Sequence, residues 1–157
     1  MKILQLIDSL HSGGAERMCV NISNVLHDNG HEVTLCATRT GGALEKAINS
    51  SIRFHVLHKK SSLDFVAFRR LLRIIKDNGI ETIHAHSSSL FWAIMAKVFY
   101  GKVKVLWHDH NGLRVSDFWK NLFYKLLSVK TDGIIAVNHE LVRSEERRVG
   151  KECRSRW

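Results

Sequence analysis

The sequence predicts an α/β domain built on a doubly wound parallel sheet, and three observations predict it. Short apolar runs alternate with longer stretches whose apolar residues recur every three or four positions, the signature of strands joined by helical crossovers. The short runs are apolar along much of their length, as strands buried on both faces must be. Polar clusters follow several of the runs directly, where an open parallel sheet binds its ligand, outside the carboxyl ends of the strands.

The elements follow in order. Residues 2–7, Lys-Ile-Leu-Gln-Leu-Ile, form the first strand, and residues 8–13 the loop after it. Ala15, Met18, Cys19, Ile22, Val25 and Leu26 repeat at helical steps up to a stop at Gly30. Residues 31–37 alternate as a second strand, and Gly41-Gly42 separates them from a short helical stretch over 43–49. Residues 52–57 make a third strand, and residues 63–77 an amphipathic helix that ends at Asn78-Gly79. On that helix Arg69, Arg73 and Lys76 share one face, and Phe65, Phe68, Leu72 and Ile75 another. A short strand at 81–84, a helix over 90–99 and a strand at 103–107 come next. A helix over 117–129 leads to a last strand at 133–137, and a further helix begins near His139.

Composition narrows the class. The 157 residues are 45% apolar and 25% charged, without a proline and with a formal net charge of +9. That balance builds a globular core, and no apolar run reaches the roughly 18–20 residues of a membrane span. Asp8 interrupts the opening apolar run too early for a signal peptide. Three cysteines without an export signal argue against a disulfide-stapled scaffold, so the expected location is cytoplasmic.

Much of the charge sits in the last fifteen residues, Arg143 to Trp157, which hold six basic and three acidic side chains. They show no helical or strand period. The run from Arg143 through Cys153 resembles the translated read-through of a common sequencing adapter, so residues 143–157 are expected to be a non-native tail. Without them, residues 1–142 carry 18 basic and 12 acidic side chains, net +6. The expected organisation is therefore one domain over 1–142, incomplete at its C-terminal end.

Three clusters carry the candidate chemistry. Gly13 and Gly14 open the first helix, where unpaired N–H groups and the positive end of the helix dipole suit a phosphate, or where the pair simply forms a turn and cap. The spacing is not Gly-x-Gly-x-x-Gly, a Gly-Lys-Ser/Thr loop is absent, and Thr38-Arg39 follows the second strand in place of a ribose-binding acid. His84 and His86 point to one face of their strand. They lack a nearby sequence partner that completes a metal set, so a pocket-lining or hydrogen-bonding role is expected of His86 and no metal is. The third cluster, His108-Asp109-His110-Asn111, places an acid between two imidazoles after the fifth strand. No serine or cysteine nucleophile accompanies it, and a polar loop satisfying its own turn is the plain alternative. The basic helices suit either simple sheet cover or a peripheral contact with an anionic membrane. A charge of +6 without a recognised motif argues against nucleic acid.

Four motifs, taken together, resemble the N-terminal domain of the family 4 retaining glycosyltransferases of GT-B fold. They are Asp8-Ser-Leu-His-Ser-Gly-Gly-Ala-Glu-Arg17, Ile83-His-Ala-His-Ser87, Leu106-Trp-His-Asp-His110 and Asp132-Gly-Ile-Ile-Ala-Val137. The resemblance spans residues 1–142 and implies a Rossmann-like acceptor-side domain, with the donor-binding C-terminal domain and its Glu-x7-Glu motif absent from this chain. It implies a hexosyltransferase-type enzyme moving a sugar from a UDP- or GDP-sugar to a saccharide or lipid-linked acceptor in cell-surface polysaccharide synthesis. The nucleotide-sugar is then a co-substrate, with no cofactor and no catalytic metal. Work at the inner face of the membrane is expected, and no activity of the 157-residue chain alone. By the same resemblance Gly13 and Gly14 approach the donor diphosphate, and His108 is the catalytic histidine, with His110 as fallback. His86 and Asn111 line the acceptor side. Two alternatives stay open: a single-domain flavodoxin-like phosphate- or nucleotide-binding module, and the N-terminal half of a nucleotide-sugar epimerase.

Overall fold

The computed structural model describes residues 1–110 and 118–136. Six strands form one parallel sheet: β1 (Lys2–Ser9), β2 (Glu32–Thr40), β3 (Arg53–Val56), β4 (Thr82–His86), β5 (Lys104–Asp109) and β6 (Gly133–Ala136). Four helices connect them: α1 (Gly14–Asp28), α2 (Phe65–Asp77), α3 (Leu90–Tyr100) and α4 (Phe118–Ser128). Single 3₁₀ turns at Ala43–Ala47 and Ser87–Ser89 complete the path. The α/β class and each expected element within the described residues stand. The helix expected near His139, the tail from Arg143 and the C-terminal edge of the domain lie outside them.

The strand order is β3-β2-β1-β4-β5-β6. The chain winds outward from β1 in one direction, returns through α2 to β4, and winds outward in the other. The switch point therefore falls between β1 and β4, and an open α/β sheet binds its ligand at the carboxyl ends of those two strands. This order differs from that of flavodoxin-like sheets, in which the return comes one strand earlier. The flavodoxin-like alternative fails on topology.

Alternation along the strands divides the core in two. Leu4 and Leu6 of β1, Ile83 and Ala85 of β4, and Val105 and Trp107 of β5 pack against α2 and α3 through Leu71, Ile75, Ala93 and Ala96. On the opposite face Ile7, Val33 and Leu35 meet Cys19 and Val20 of α1. Gln5, His84, His86 and His108 alternate with the first set and share the α1 face, and each is buried. A row of polar side chains therefore replaces apolar ones on that face of β4 and β5.

Helix α2 starts two residues later than the apolar spacing predicts. The Asp64 carboxylate accepts from the N–H of Ala67 at 3.0 Å and fixes Phe65 as the first helical residue. Its buried stripe is Ala67–Leu71–Ile75 rather than one including Phe65, which is 75% exposed. At the other end Gly79 takes φ 61°, the left-handed conformation that lets the chain turn into β4.

Candidate functional site

The carboxyl ends of four strands meet around Asp8, the eighth residue of the chain and the penultimate residue of β1. Its Oδ1 accepts from Thr38 Oγ1 at the end of β2 (2.5 Å) and from Lys59 Nζ after β3 (3.1 Å). Its Oδ2 accepts from Ser88 Oγ after β4 (2.7 Å), which spans the switch point, and Arg39 stands 3.9 Å away. Burial by itself would raise the Asp8 pKa, but the hydroxyls of Thr38 and Ser88 and the Lys59 charge outweigh it and hold the carboxyl below its ordinary value. Lys59 is in turn enclosed, with its side chain 5% exposed and its ammonium 5.1 Å from the centre of the Trp92 ring. Asp8 is thus an ionised tie among four strand ends.

Four imidazoles stand beside this hub. His84 and His86 come from β4, His108 is the register partner of His86 on β5, and His110 follows the end of β5. Ring centres lie 4.4 Å apart for His84 and His86, 5.3 Å for His86 and His108, and 4.1 Å for His108 and His110. His86 bridges two layers: its Nε2 lies 2.8 Å from Gln5 Oε1, and its Nδ1 lies 3.0 Å from His110 Nε2. A carbonyl oxygen only accepts, so His86 carries its proton on Nε2 and its Nδ1 receives the Nε2–H of His110. His110 is left with Nδ1 as its lone-pair nitrogen.

Burial keeps these rings neutral. It lowers the pKa of His84 to about 4 and of His108 to about 3, with the neighbouring His110 adding to both shifts. His86 lies well below its ordinary value, through burial first and then the surrounding imidazoles. His110 is lowered less, because the charges of Asp109 and Glu16 oppose its burial.

The glycine loop leads into α1. Gly13 is the N-cap of α1 in extended backbone, φ −158°, without a side-chain cap. A Cβ built on Gly14 meets nothing within 4 Å, whereas one on Gly13 would fall 2.2 Å from Glu16 Oε2, so the first turn is open at Gly14 and carries the Glu16 carboxylate at Gly13. The glycine that packing demands is Gly42, where a Cβ would fall 2.3 Å from the carbonyl oxygen of Leu10. Next to the same rim, Ser87 takes a left-handed φ of 49°. Its carbonyl is held by Trp107 Nε1 at 3.1 Å.

The fold brings Gly13, Gly14, His86, His108 and His110 to one end of the sheet, as the motif positions imply. It separates the two histidines expected to share one role: His108 is 1% exposed within the sheet face, whereas His110 is half-buried at the rim. Asn111 lies outside the described residues. Sequence reasoning missed Asp8, Lys59, Thr38, Ser88 and Gln5 as parts of the site. For Asp8 a signal was present, an acid at the end of an otherwise apolar strand. For Lys59 and Gln5 none was, since their partners are 51 and 81 residues away.

The sequence profile described as Glycosyltransferase Family 4 matches residues 12–154. No curated protein matches the chain. Among solved structures, HepE from Anabaena in complex with UDP superposes with a TM-score of 0.76 at 20% identity, over 97% of this chain and 42% of its own. Sucrose-phosphate synthase from Thermosynechococcus elongatus gives 0.65 at 14% identity, over 94% and 45%. MurG from Acinetobacter baumannii gives 0.61 at 15% identity, over 86% and 40%. At these identities the likeness is one of fold, and the chain spans less than half the length of each.

Proposed function

This chain belongs to glycosyltransferase family 4, and from that premise we propose that it is the acceptor-side domain of an enzyme transferring a hexose, with retention, from a UDP- or GDP-sugar to a saccharide or lipid-linked acceptor. The observation that carries the reading is the convergence of an ionised hub, a rim histidine and a glycine-started helix N-terminus on the β1/β4 switch point. Departure of a nucleoside diphosphate develops negative charge, and donors already in place stabilise it best. The first-turn amides of α1 at Gly13 and Gly14 supply such donors, facing across the cleft the diphosphate of a donor held by a second domain. Asp8 keeps Lys59 and Ser88 from moving, so the floor of the cleft is rigid.

The catalytic histidine of this reading is His110 rather than His108. A group that meets a sugar must reach solvent, and His108 lies inside the sheet face. The bond to His86 leaves His110 Nδ1 as acceptor for a hydroxyl, the polarity an attacking or transferring sugar needs. His86 then acts as a positioning residue beneath it, and Asn111 belongs to the acceptor side.

The start of α2 offers a seat for the acceptor's lipid portion. Leu63 and Phe65, at 65% and 75% exposure, border a shallow apolar pocket with Phe68, Phe91, Trp92 and Met95, and Val66 is exposed next to them. Lys60 and Arg69 are exposed beside it. An apolar tip with basic neighbours suits the headgroup region of an anionic bilayer, and this is where the polysaccharide-building role at the inner membrane face finds support. No helix among the described residues is long and apolar enough to cross a membrane.

The test reads the source DNA past codon 142 and assays the encoded product. A second nucleotide-binding domain with a Glu-x7-Glu motif, nucleotide release from a UDP- or GDP-sugar, and a loss of about 10²–10⁴-fold in kcat for His110→Asn are expected. A stop directly after residue 157, or turnover unchanged in His110→Asn, overturns the reading.

A further inference from the structure

We propose that His84, His86 and His108 form a binding site for one divalent transition-metal ion, zinc by ligand type. The proposal does not depend on the transferase reading. Each ring offers one ligand nitrogen, and the three nitrogens lie within 4.8 Å of one another with all three residues buried. His84 and His86 project from the same face of β4, and parallel pairing sets His108 directly beside His86. The sequence shows only the first pair, because its third member is 22 positions further on. The metal set that the spacing of His84 and His86 leaves incomplete is filled by the neighbouring strand.

Hydrogen bonding points the same way. Among the described residues, Nε2 of His84 and both ring nitrogens of His108 are buried without a partner, and so is Nε2 of Gln5. A buried polar group left without a hydrogen-bond partner is costly, so a cluster of them is expected to serve a ligand. An imidazole-only set without acids suits zinc, copper or nickel rather than magnesium or calcium. Zinc bonds nitrogen at about 2.0–2.1 Å in a tetrahedron; the rings must therefore close from their present spacing by turning about their own side-chain bonds. Gln5 supplies the outer support such sites carry, since its carbonyl holds Nε2–H of His86 and leaves Nδ1 to coordinate. That nitrogen is the one His110 now uses. Metal binding and the His86–His110 hydrogen bond are therefore alternative states of one imidazole.

The experiment uses the 157-residue chain stripped with EDTA and titrated with cobalt(II) and zinc. Expected are one ion per chain, a cobalt ligand-field band in the visible, and at least a tenfold weaker binding in each of His84→Asn, His86→Asn and His108→Asn. His27→Asn, on the far end of α1, is expected to bind as the unsubstituted chain does. Because buried variants can fail to fold, the unsubstituted chain is also followed by imidazole ¹H–¹⁵N spectra. Zinc is expected to shift the resonances of His84, His86 and His108 first. Substoichiometric binding at a hundredfold excess of metal, binding retained in all three variants, or shifts confined to other histidines overturns the proposal.

Discussion

His108 lies in β5 and His110 one residue past its end, and their chemistry differs because of where β5 ends. His108 lies within the pairing of β5 with β4 and is covered, while His110 has passed the last paired residue and reaches the rim. The chain Gln5–His86–His110 fixes the tautomers in sequence, each acceptor determining the proton on the next ring. In the metal-free chain, long-range ¹H–¹⁵N spectra should show His86 and His110 both protonated on Nε2. Gln5→Leu should scramble the His86 tautomer and, through it, that of His110. A His110 protonated on Nδ1 in the unsubstituted chain would contradict the assignment. At this scale the sequence shows residue types but not partners: the histidines are legible as candidates, and Gln5 reads as one polar residue in an apolar strand.

At the scale of elements, α2 shows how a face is chosen. Apolar residues at 65, 66, 68, 71, 72, 74 and 75 fit more than one stripe, and spacing alone puts Phe65 inside. The sheet takes the stripe in which small Ala67 lets the helix approach, and Leu71 and Ile75 then pack fully. Phe65, in the first turn after the Asp64 cap, is left at the surface. Leu71→Ala should therefore cost about 2–5 kcal/mol in urea denaturation. Phe65→Ser should stay within about 0.5 kcal/mol of the unsubstituted chain while reducing its binding to vesicles of anionic phospholipid. Equal destabilisation by the two would mean that Phe65 is part of the core after all. Strand ends show a related effect. β1, β2, β4 and β5 each run past their expected last residue, because ladder bonds to neighbours extend pairing into polar residues such as Ser9, Thr40, His86 and Asp109.

For the whole molecule, the buried histidines set a response to acid. Their folded pKa values lie below the 6.5 of an exposed imidazole, so below that pH the unfolded chain binds protons that the folded chain refuses. Folding is then penalised progressively as the pH falls from about 6.5 toward about 4, and above 6.5 the term vanishes. Asp8 adds a separate loss lower down, since its depressed carboxyl stabilises the fold above 3.8 and ceases to as it protonates. The urea midpoint of the metal-free chain should accordingly drop between pH 7 and pH 5, and a flat profile there would contradict burial of neutral imidazoles. By itself the sequence determined the α/β class, the order and approximate extent of the elements, the family and the end of the sheet where its polar motifs gather. These follow from hydrophobic period, glycine stops and short local motifs, which neighbours in the chain impose on one another. Only the tertiary structure decided that the return comes between β1 and β4, that Asp8 ties four strand ends, that His110 rather than His108 reaches the rim, and that His108 completes a set with His84 and His86. Those facts depend on strand order and register, which bring together residues tens of positions apart and which no local pattern encodes.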